Sequence, residues 1–481
     1  MISAATASRR PLILALLLGA LARVAFLAST DLPRFDPWRH LTLVENIRAG
    51  RGFTLFDGQP YLWHHPAWYY LSAALPPAIG AQWLAGVLSL LTAALVWRWL
   101  RATHPDSPRP AATAALLMAL YGPLVSFTCQ LGPESFALAL LFGALALVCA
   151  RPGMFAAAGA GVLFGLAAAA RINFALNLFL FLPLLATRRR ALAWCAGAAL
   201  PLGLAWWRNH TIIASFPWVF TWDGLATRTA DFNALSTLVI QLHPAVREGL
   251  SRLHAHLAPV PLWFRGPAGV SWGPLVFLLL SAGCLLLCRR WEIALAGFAA
   301  AGAFLFLDRS FTANFFRVWL GVFPVFIAAV AIAAERLRTA GGGRSHIPAL
   351  LASGMIALVV ACGVGELLPQ AMYPIEAVTP PAAFLREDAY LVNSGFYHPE
   401  ALAWRYPQKR FVGLPLDPAQ LDAFLQDFPA YRAVLWHAGG FQDDVVRSLR
   451  DSRGYAVDRE TANDAGLGYA VLLPRAAKGA R

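Results

Sequence analysis

Charge is scarce in this 481-residue chain, at 14% of residues, and lysine is nearly missing, since 37 of the 39 basic residues are arginine. So little charge, against 58% hydrophobic residues and a mean hydropathy of +0.55, excludes an ordinary soluble protein. The net charge of +13 does not indicate nucleic acid, because the arginines stand singly or in small groups beside apolar runs and no polar domain gathers them. Cysteine is sparse too. All six (Cys129, Cys149, Cys195, Cys284, Cys288 and Cys362) lie in or beside apolar segments, and the polar C-terminal region has none, so neither a disulfide framework nor a Cys metal site is supported. Internal repeats and long low-complexity stretches are missing as well; Gly341-Gly342-Gly343 is only a short linker.

What is present is a series of apolar runs. About eleven are long enough for roughly 30 Å of hydrocarbon at about 1.5 Å per residue. They fall at roughly 11–29, 82–100, 111–129, 135–150, 154–170, 174–187, 191–207, 273–288, 292–307, 317–334 and 347–368. With Arg9 and Arg10 inside, the clusters Arg98/Arg101/Arg109, Arg151, Arg188/Arg189/Arg190, Arg289/Arg290 and Arg336/Arg338/Arg344 all fall inside as well. Ser8-Arg9-Arg10 precedes the first run in the manner of a twin-arginine signal, but with ten further spans the segment reads as an uncleaved helix. The expected fold class is a polytopic α-helical membrane protein with a transmembrane part over residues 1–375. The topology puts loops at about 30–81 and 208–272 on the outer face, together with everything after about 369.

Residues 376–481 change solvent regime. They hold 13 acids and 12 bases, while the rest of the chain has 27 bases and 13 acids. The segments "AYLVNS", "RFVGL", "RAVLWHA", "YAVDRE" and "GYAVLLP" read as strands, with helical patterns at about 398–406, 417–428 and 443–453 between them. That is a soluble α/β domain. It has no Gly-rich phosphate loop, and Asp443-Asp444 opens a helix, where acids are the ordinary expectation.

Some acids and arginines are left over by this topology. Arg171, in "GLAAAARINFALN", lies at the outer end of the fifth run, the wrong side for a positive-inside anchor. The following 14-residue run would reach only about 21 Å as an α-helix, which recesses the Arg171 to Asn173 turn below the outer surface. A lone guanidinium in lipid costs roughly 2.5 kcal/mol or more, so Arg171 should face protein or a water-filled cavity. Arg208 ends the seventh run and Arg317 opens the tenth, so three arginines meet on one membrane face. Each alone reads as a snorkelling or structural residue. Together they suit an anion, because the guanidinium fork matches phosphate. Among the acids, Asp36 follows the first run and precedes Pro37, as an N-cap would, and Glu134 opens the fourth, where a dipole partner is common. In "PWRHLTLVENIRAG", Trp38, Leu41, Val44 (or Glu45) and Arg48 fall on helical spacing, which suggests an interfacial helix holding Asp36 at the surface.

The order of these elements resembles the GT-C class of polytopic glycosyltransferases, in particular bacterial relatives of protein O-mannosyltransferases and of the lipid A aminoarabinose transferase. The matching residues are Asp36, His40, Gly50-Arg51-Gly52, "HHPAWYYLSAAL", "YGPLVSFTCQLGPESFALALL", "GVLFGLAAAARINFAL" and "LAWWRNHTIIASF". Many relatives carry a second acid directly after the first, where this chain has Pro37. The resemblance implies a bacterial inner (cytoplasmic) membrane enzyme whose C-terminal domain is extracytoplasmic. It also implies a polyprenyl-phosphate sugar donor, membrane lipid around it and an acceptor lipid, glycan or protein. On it, Asp36 and Glu134 are candidate catalytic residues, and Arg171, Asn173, Arg208, Arg317, His64, His65 and Tyr69 candidate substrate-binding residues. Asp-x-Asp is missing near the outer loops, so neither a divalent metal nor a nucleotide-sugar donor is indicated. Two other classes use the same arginines: a lipid-linked substrate transporter or flippase, and a non-catalytic assembly subunit on a GT-C-like scaffold. Inverted repeats and broken midplane helices, which mark many transporters, are not evident.

Because the basic clusters alternate in register with the apolar runs, a reporter active only in the cytoplasm and fused after Arg475 is expected to be silent. Activity there would reverse the orientation.

Overall fold

The computed structural model describes residues 10–29, 36–55, 60–62, 65–75, 80–128, 132–151, 153–216, 283–307, 321, 323–340, 346–367, 379–393, 402–403, 405–415, 417–437, 442–462 and 468–475. In chain order the helices are α1 (Arg10–Ser29), α2 (Asp36–Arg48), α3 (Ala67–Ala73), α4 (Gly80–Thr103), α5 (Arg109–Leu120), α6 (Gly122–Thr128), α7 (Glu134–Ala150) and α8 (Met154–Ala170). A 3-10 stretch, Ile172–Leu185, precedes α9 (Arg188–Ser215), α10 (Trp291–Leu307), α11 (Phe323–Ala340) and α12 (Ile347–Leu367). The C-terminal region has β1 (Ala389–Val392), β2 (Arg410–Gly413), α13 (Leu421–Asp427), β3 (Ala433–Trp436), α14 (Asp443–Arg453), β4 (Tyr455–Ala462) and β5 (Gly468–Pro474). The chain folds as two bodies. One takes residues 1–31, 78–205 and 234–370; the other takes 32–77, 206–233 and 371–481.

The first body is helical. Its α4 packs on α5 and α7, α7 on α8, α1 on α5, and α11 on α5 and α12. Helix α11 buries every residue from Phe323 to Ala334, as an apolar helix surrounded by others must. Elsewhere large apolar side chains face outward, including Ile13, Leu14, Leu17 and Leu21 on α1, Val87 and Leu91 on α4, and Leu350 and Leu351 on α12. Faces of that size would be a liability in water and are ordinary against lipid. Among the described residues, Arg10–Leu27 and Gln82–Thr103 are long and apolar enough to cross a membrane, and five further apolar helices are shorter. The 111–129 run is divided at Tyr121, whose extended backbone (ψ 114°) separates α5 from α6.

Two local features were not expected. Ile172–Leu185 stays in 3-10 conformation for 14 residues with Pro183 inside it, although such runs seldom exceed a turn. At about 2.0 Å per residue it reaches about 28 Å, so shortness no longer argues for a recessed Arg171. Asn177 fixes this segment by donating to the carbonyls of Phe174 (3.2 Å) and Gly321 (3.0 Å). The other feature is the crossing of α8 and α9. A Cβ on Gly161 would lie 2.1 Å from the Trp194 carbonyl oxygen, and one on Gly197 would lie 2.1 Å from that of Ala158. Gly165 likewise faces Ala198 and Pro201, so Gly161 and Gly165, four residues apart, let two backbones touch.

In the second body the C-terminal domain has the expected alternation of strands and helices. Its sheet runs β2-β1-β3-β5-β4, with β1 parallel to β2 and β3, and β5 antiparallel to β3 and β4. Alternate strand residues bury Leu391, Val412, Val434 and Leu472 against Phe424 of α13 and Val445 and Leu449 of α14. Gly454 ends α14 at φ 68°, the left-handed position where a Cβ is penalised. Leu62, from the segment before α3, belongs to this same core, and Ile212 and Phe216 pack on it. Leu62 and the C-terminal end of α9 therefore share one hydrophobic interior with the C-terminal domain.

Gly161→Val is expected to abolish accumulation of folded protein, since the clash is with backbone and cannot be relieved by a rotamer change. Gly203→Ala, on the same α9 but with open space around its Cα, serves as the tolerated control in a detergent-extraction assay.

Candidate functional site

In the helical body, Glu134 is the first residue of α7 and is only 3% exposed. Arg171, just past the end of α8, donates Nη2 to Glu134 Oε1, and the two side chains are 17% and 4% exposed respectively. The ion pair thus ties the start of α7 to the end of α8. Gly132 makes it possible, because a Cβ there would overlap the Glu134 carboxylate. Arg171 Nε is buried and has no hydrogen-bond partner among the described residues, which leaves donor capacity beyond the carboxylate.

A second buried arginine was not singled out from sequence. Arg23, 2% exposed within α1, donates Nε and Nη2 to Ser89 Oγ (3.1 and 2.6 Å) and Nη1 to the carbonyls of Gly19 (3.0 Å) and Ala119 (2.7 Å). Thr128 donates to the same Ser89 Oγ at 2.7 Å, so the network joins α1, α4, α5 and α6. The sequence did carry the signal: a single arginine in the interior of an apolar run.

In the second body, α2 spans the range the sequence suggested; of the residues on the expected face Val44 is buried while Leu41 and Arg48 are half-buried, and His40 and Leu43 are buried beside Val44. Two side chains set its position. Asn46 donates to the carbonyls of Thr54 (2.7 Å) and Leu55 (3.1 Å), folding the chain back after Gly50 and Gly52, whose φ values are 73° and 77°. Nothing approaches a Cβ at either glycine, so the requirement there is conformational. Arg48 pairs with Glu45 and donates to the carbonyls of Ser72 (3.2 Å), Ala73 (3.3 Å) and Leu75 (2.9 Å), capping the end of α3.

Between α2 and α3 lies an aromatic cluster. Tyr69 is fully buried, its hydroxyl 2.8 Å from His40 Nδ1, and its ring packs on Phe53 with centroids 4.9 Å apart. Tyr61 meets Phe53 edge-on at 5.6 Å. Arg208, from the end of α9, lies over the Phe53 ring at 5.0 Å and donates Nη2 to the Tyr61 carbonyl (2.6 Å) and Nη1 to Asn209 Oδ1 (3.0 Å). Its guanidinium is thus half-buried and held in a fixed plane.

His65 sits in the field of Arg208. Burial, and then the Arg208 charge, push its imidazole below the usual histidine range, so the ring is neutral at pH 7. Its Nδ1 accepts from the Ala67 N–H at 3.2 Å, which leaves the proton of the neutral ring on Nε2. In that state His65 offers a hydrogen bond donor beside a cation, an arrangement that suits an anion and does not suit a base.

The structure therefore gathers Glu134 with Arg171 in one body, and α2, Tyr69, His65 and Arg208 in the other. Asp36 is the first residue of α2, and Asn173 is the second residue of the 3-10 stretch; only their backbones are described. His64 and Arg317 lie outside the described residues. Among the described residues no group of three or more His, Cys, Asp or Glu side chains could hold a metal ion.

No protein-family profile matches the chain, and no curated protein does. Among solved structures it is similar to an oligosaccharyltransferase of Archaeoglobus fulgidus in the apo form, at 13% identity over 89% of this chain and 69% of that one, with a TM-score of 0.48. The archaeal oligosaccharyltransferase AglB of the same organism, in complex with an inhibitory peptide and a dolichol-phosphate, matches at 14% identity over the same shares, with a TM-score of 0.49. A complex with Zn and sulfate matches at 15% identity over 96% of this chain and 73% of that one, with a TM-score of 0.46.

Glu134→Gln keeps the shape of the side chain but leaves Arg171 uncompensated. The expected loss is about 3 kcal/mol or more, as for other buried pairs broken on one side, against about 1 kcal/mol or less for an exposed pair. Thermal unfolding of the purified variant measures it, and Glu134→Gln with Arg171→Gln should recover part of the loss.

Proposed function

We propose that this chain is a GT-C-like glycosyltransferase of a bacterial cytoplasmic membrane, with about eleven spans as drawn from the sequence. In this reading it moves a sugar from a polyprenyl-phosphate donor to an acceptor hydroxyl on the outer face, where its C-terminal domain also lies. The observation that carries the reading is the second body: one folded unit contains the helix that Asp36 opens, the fixed guanidinium of Arg208 and the neutral donor His65. A carboxylate and a phosphate-type anion site are the two components that this transfer requires.

The chemistry assigns each a task. The acceptor oxygen attacks the anomeric carbon and its proton passes to the Asp36 carboxylate, acting as general base. The bond from the anomeric carbon to the phosphate oxygen breaks, and the departing phosphate keeps the electron pair. Arg208 and the His65 Nε2–H hold that developing charge, the guanidinium through its planar fork. Glu134 acts in this scheme by holding Arg171, whose buried Nε remains a donor for an anion. Asn173, Arg317, His64 and Tyr69 stay assigned to substrate binding on the resemblance. The donor lipid and the surrounding membrane are the partners, and the acceptor is a lipid, a glycan or a protein.

Purified protein given a labelled polyprenyl-phosphate sugar is the test. Asp36→Asn, which still caps a helix, should leave the protein folded and reduce transfer by about 10²- to 10⁴-fold. Arg208→Lys should weaken donor binding, because an ammonium cannot reproduce the fork. A folded Asp36→Asn variant with full activity would remove Asp36 from the mechanism.

A further inference from the structure

We infer that Arg190, Arg290 and Arg336 form a further anion site, at the end of the helical body opposite the Glu134–Arg171 pair, and that its ligand is the phosphate of an anionic phospholipid. Helix α7 runs from Glu134 to Ala150, about 25 Å at about 1.5 Å per residue, and the site lies at its far end. The turn after α4, the ends of α7 and α11 and the starts of α9 and α10 meet there, brought together by the packing of α4 on α7 and of α11 on α5 and α10. Arg190, in the first turn of α9, donates Nη2 to the Val148 carbonyl on α7 (3.3 Å), and its buried Nε has no hydrogen-bond partner among the described residues. Arg290, just before α10, gives both Nε and Nη2 to a single oxygen of Glu292. Arg336, half-buried on α11, makes no ion pair or hydrogen bond through its guanidinium among the described residues. Cys149 lies in the field of Arg190 and Arg290, and His104 in that of Arg290 and Arg336.

Charge does not balance at this end. The acids among the described residues there are Asp106, Glu292 and Glu335. Asp106 is exposed, Glu292 is taken by Arg290, and Glu335 accepts from Ser107 Oγ (3.0 Å) with Arg109 at 4.0 Å. His104 registers the excess. Burial, then the charge of Arg290 and more weakly that of Arg336, push its imidazole below the usual histidine range, although Glu292 acts the other way. Guanidinium groups held half-buried with so little compensation call for an external anion. The rim is apolar. Trp291, Leu295 and Phe298 share one exposed face of α10 that begins at the residue after Arg290, and Leu286 and Leu287 are exposed just before the turn. A free anion gains nothing from such a stripe, whereas a phospholipid lays its acyl chains along it and its phosphate on the guanidinium forks. Trp291 at the top of the stripe is the residue type that sits at headgroup level, and basic pockets between helices are places where anionic headgroups bind.

The full chain, stripped of lipid in a neutral detergent, is titrated with phosphatidylglycerol, with zwitterionic phosphatidylcholine and with inorganic phosphate, and affinity is read from the rise of the thermal midpoint. Phosphatidylglycerol should bind at least about 10-fold more tightly than phosphatidylcholine. Arg190→Gln and Arg336→Gln should each weaken phosphatidylglycerol by about 5-fold, while Arg188→Gln, which removes the same charge from an exposed position at the start of α9, should cost less than about 2-fold. Equal losses in all three variants would mean diffuse surface charge and would overturn the inference, as would equal affinity for the two lipids. Inorganic phosphate that stabilises the protein as strongly as phosphatidylglycerol does would overturn the lipid assignment. Arg336 has no ion pair to lose among the described residues, so Arg336→Gln decides the matter on the same criteria if Arg190→Gln does not fold.

Discussion

Charge buried among apolar helices has to be compensated on the spot, and this constraint organises the helical body. Removing a guanidinium from water costs several kcal/mol, which only a counter-charge or a full set of acceptors can offset. Arg23 meets it with the Ser89 hydroxyl on α4, the Ala119 carbonyl on α5 and the Gly19 carbonyl on its own helix, and Arg171 meets it with Glu134. In both cases compensating groups come from other helices, so the need for compensation also fixes helix positions. Asn177, 0% exposed, does the same for the 3-10 stretch by reaching the carbonyl of residue 321. Where no polar group intervenes, as between α8 and α9, contact is made by backbones at Gly161, Gly165 and Gly197.

The second body follows a different rule. Its segments come from three parts of the sequence, and apolar burial joins them: Leu62, Ile212 and Phe216 complete a core built mainly from the five-stranded domain. Such a core gives the short helices α2 and α3 a firm base, since helices of 13 and 7 residues have little stability of their own. The polar clamps of Asn46 and Arg48 then fix the register of α2 more finely than hydrophobic contact does. Precision at the first residue of that helix is the result.

Much of this was legible in the sequence because the signals are local. The five strands of the C-terminal domain fall where apolar and β-branched runs predicted them, and α14 begins at Asp443 as its acids suggested. Glu134 and Arg171 were recognisable as polar residues at the ends of their helices, but their pairing was not, because 37 positions separate them. Three features escaped because each depends on conformation or on distant chain. A 3-10 helix looks like an α-helix in composition, so the length of Ile172–Leu185 was underestimated. That His40 and Leu43 are buried with Val44 on α2 follows from what packs around the helix, which periodicity over 13 residues cannot tell. The union of Leu62, Ile212 and Phe216 with the C-terminal domain is a long-range contact that no motif announces.

The two carboxylates differ in the obligations their surroundings impose. A general base must surrender its negative charge when it takes a proton, and Glu134 supplies the charge that makes buried Arg171 tolerable. Neutralising it in each turnover would expose the guanidinium to the full cost of burial just when an anion site is needed. Asp36 stands instead at the start of a helix, where unsatisfied backbone N–H groups and the helix dipole favour negative charge. The same division holds for the cations, with Arg171 fixed by an acid and Arg208 by a carbonyl and an aromatic face, which leaves the charge of Arg208 unneutralised by these contacts. A phosphate would find its counter-charge at the second of these arginines, on the body that also carries Asp36.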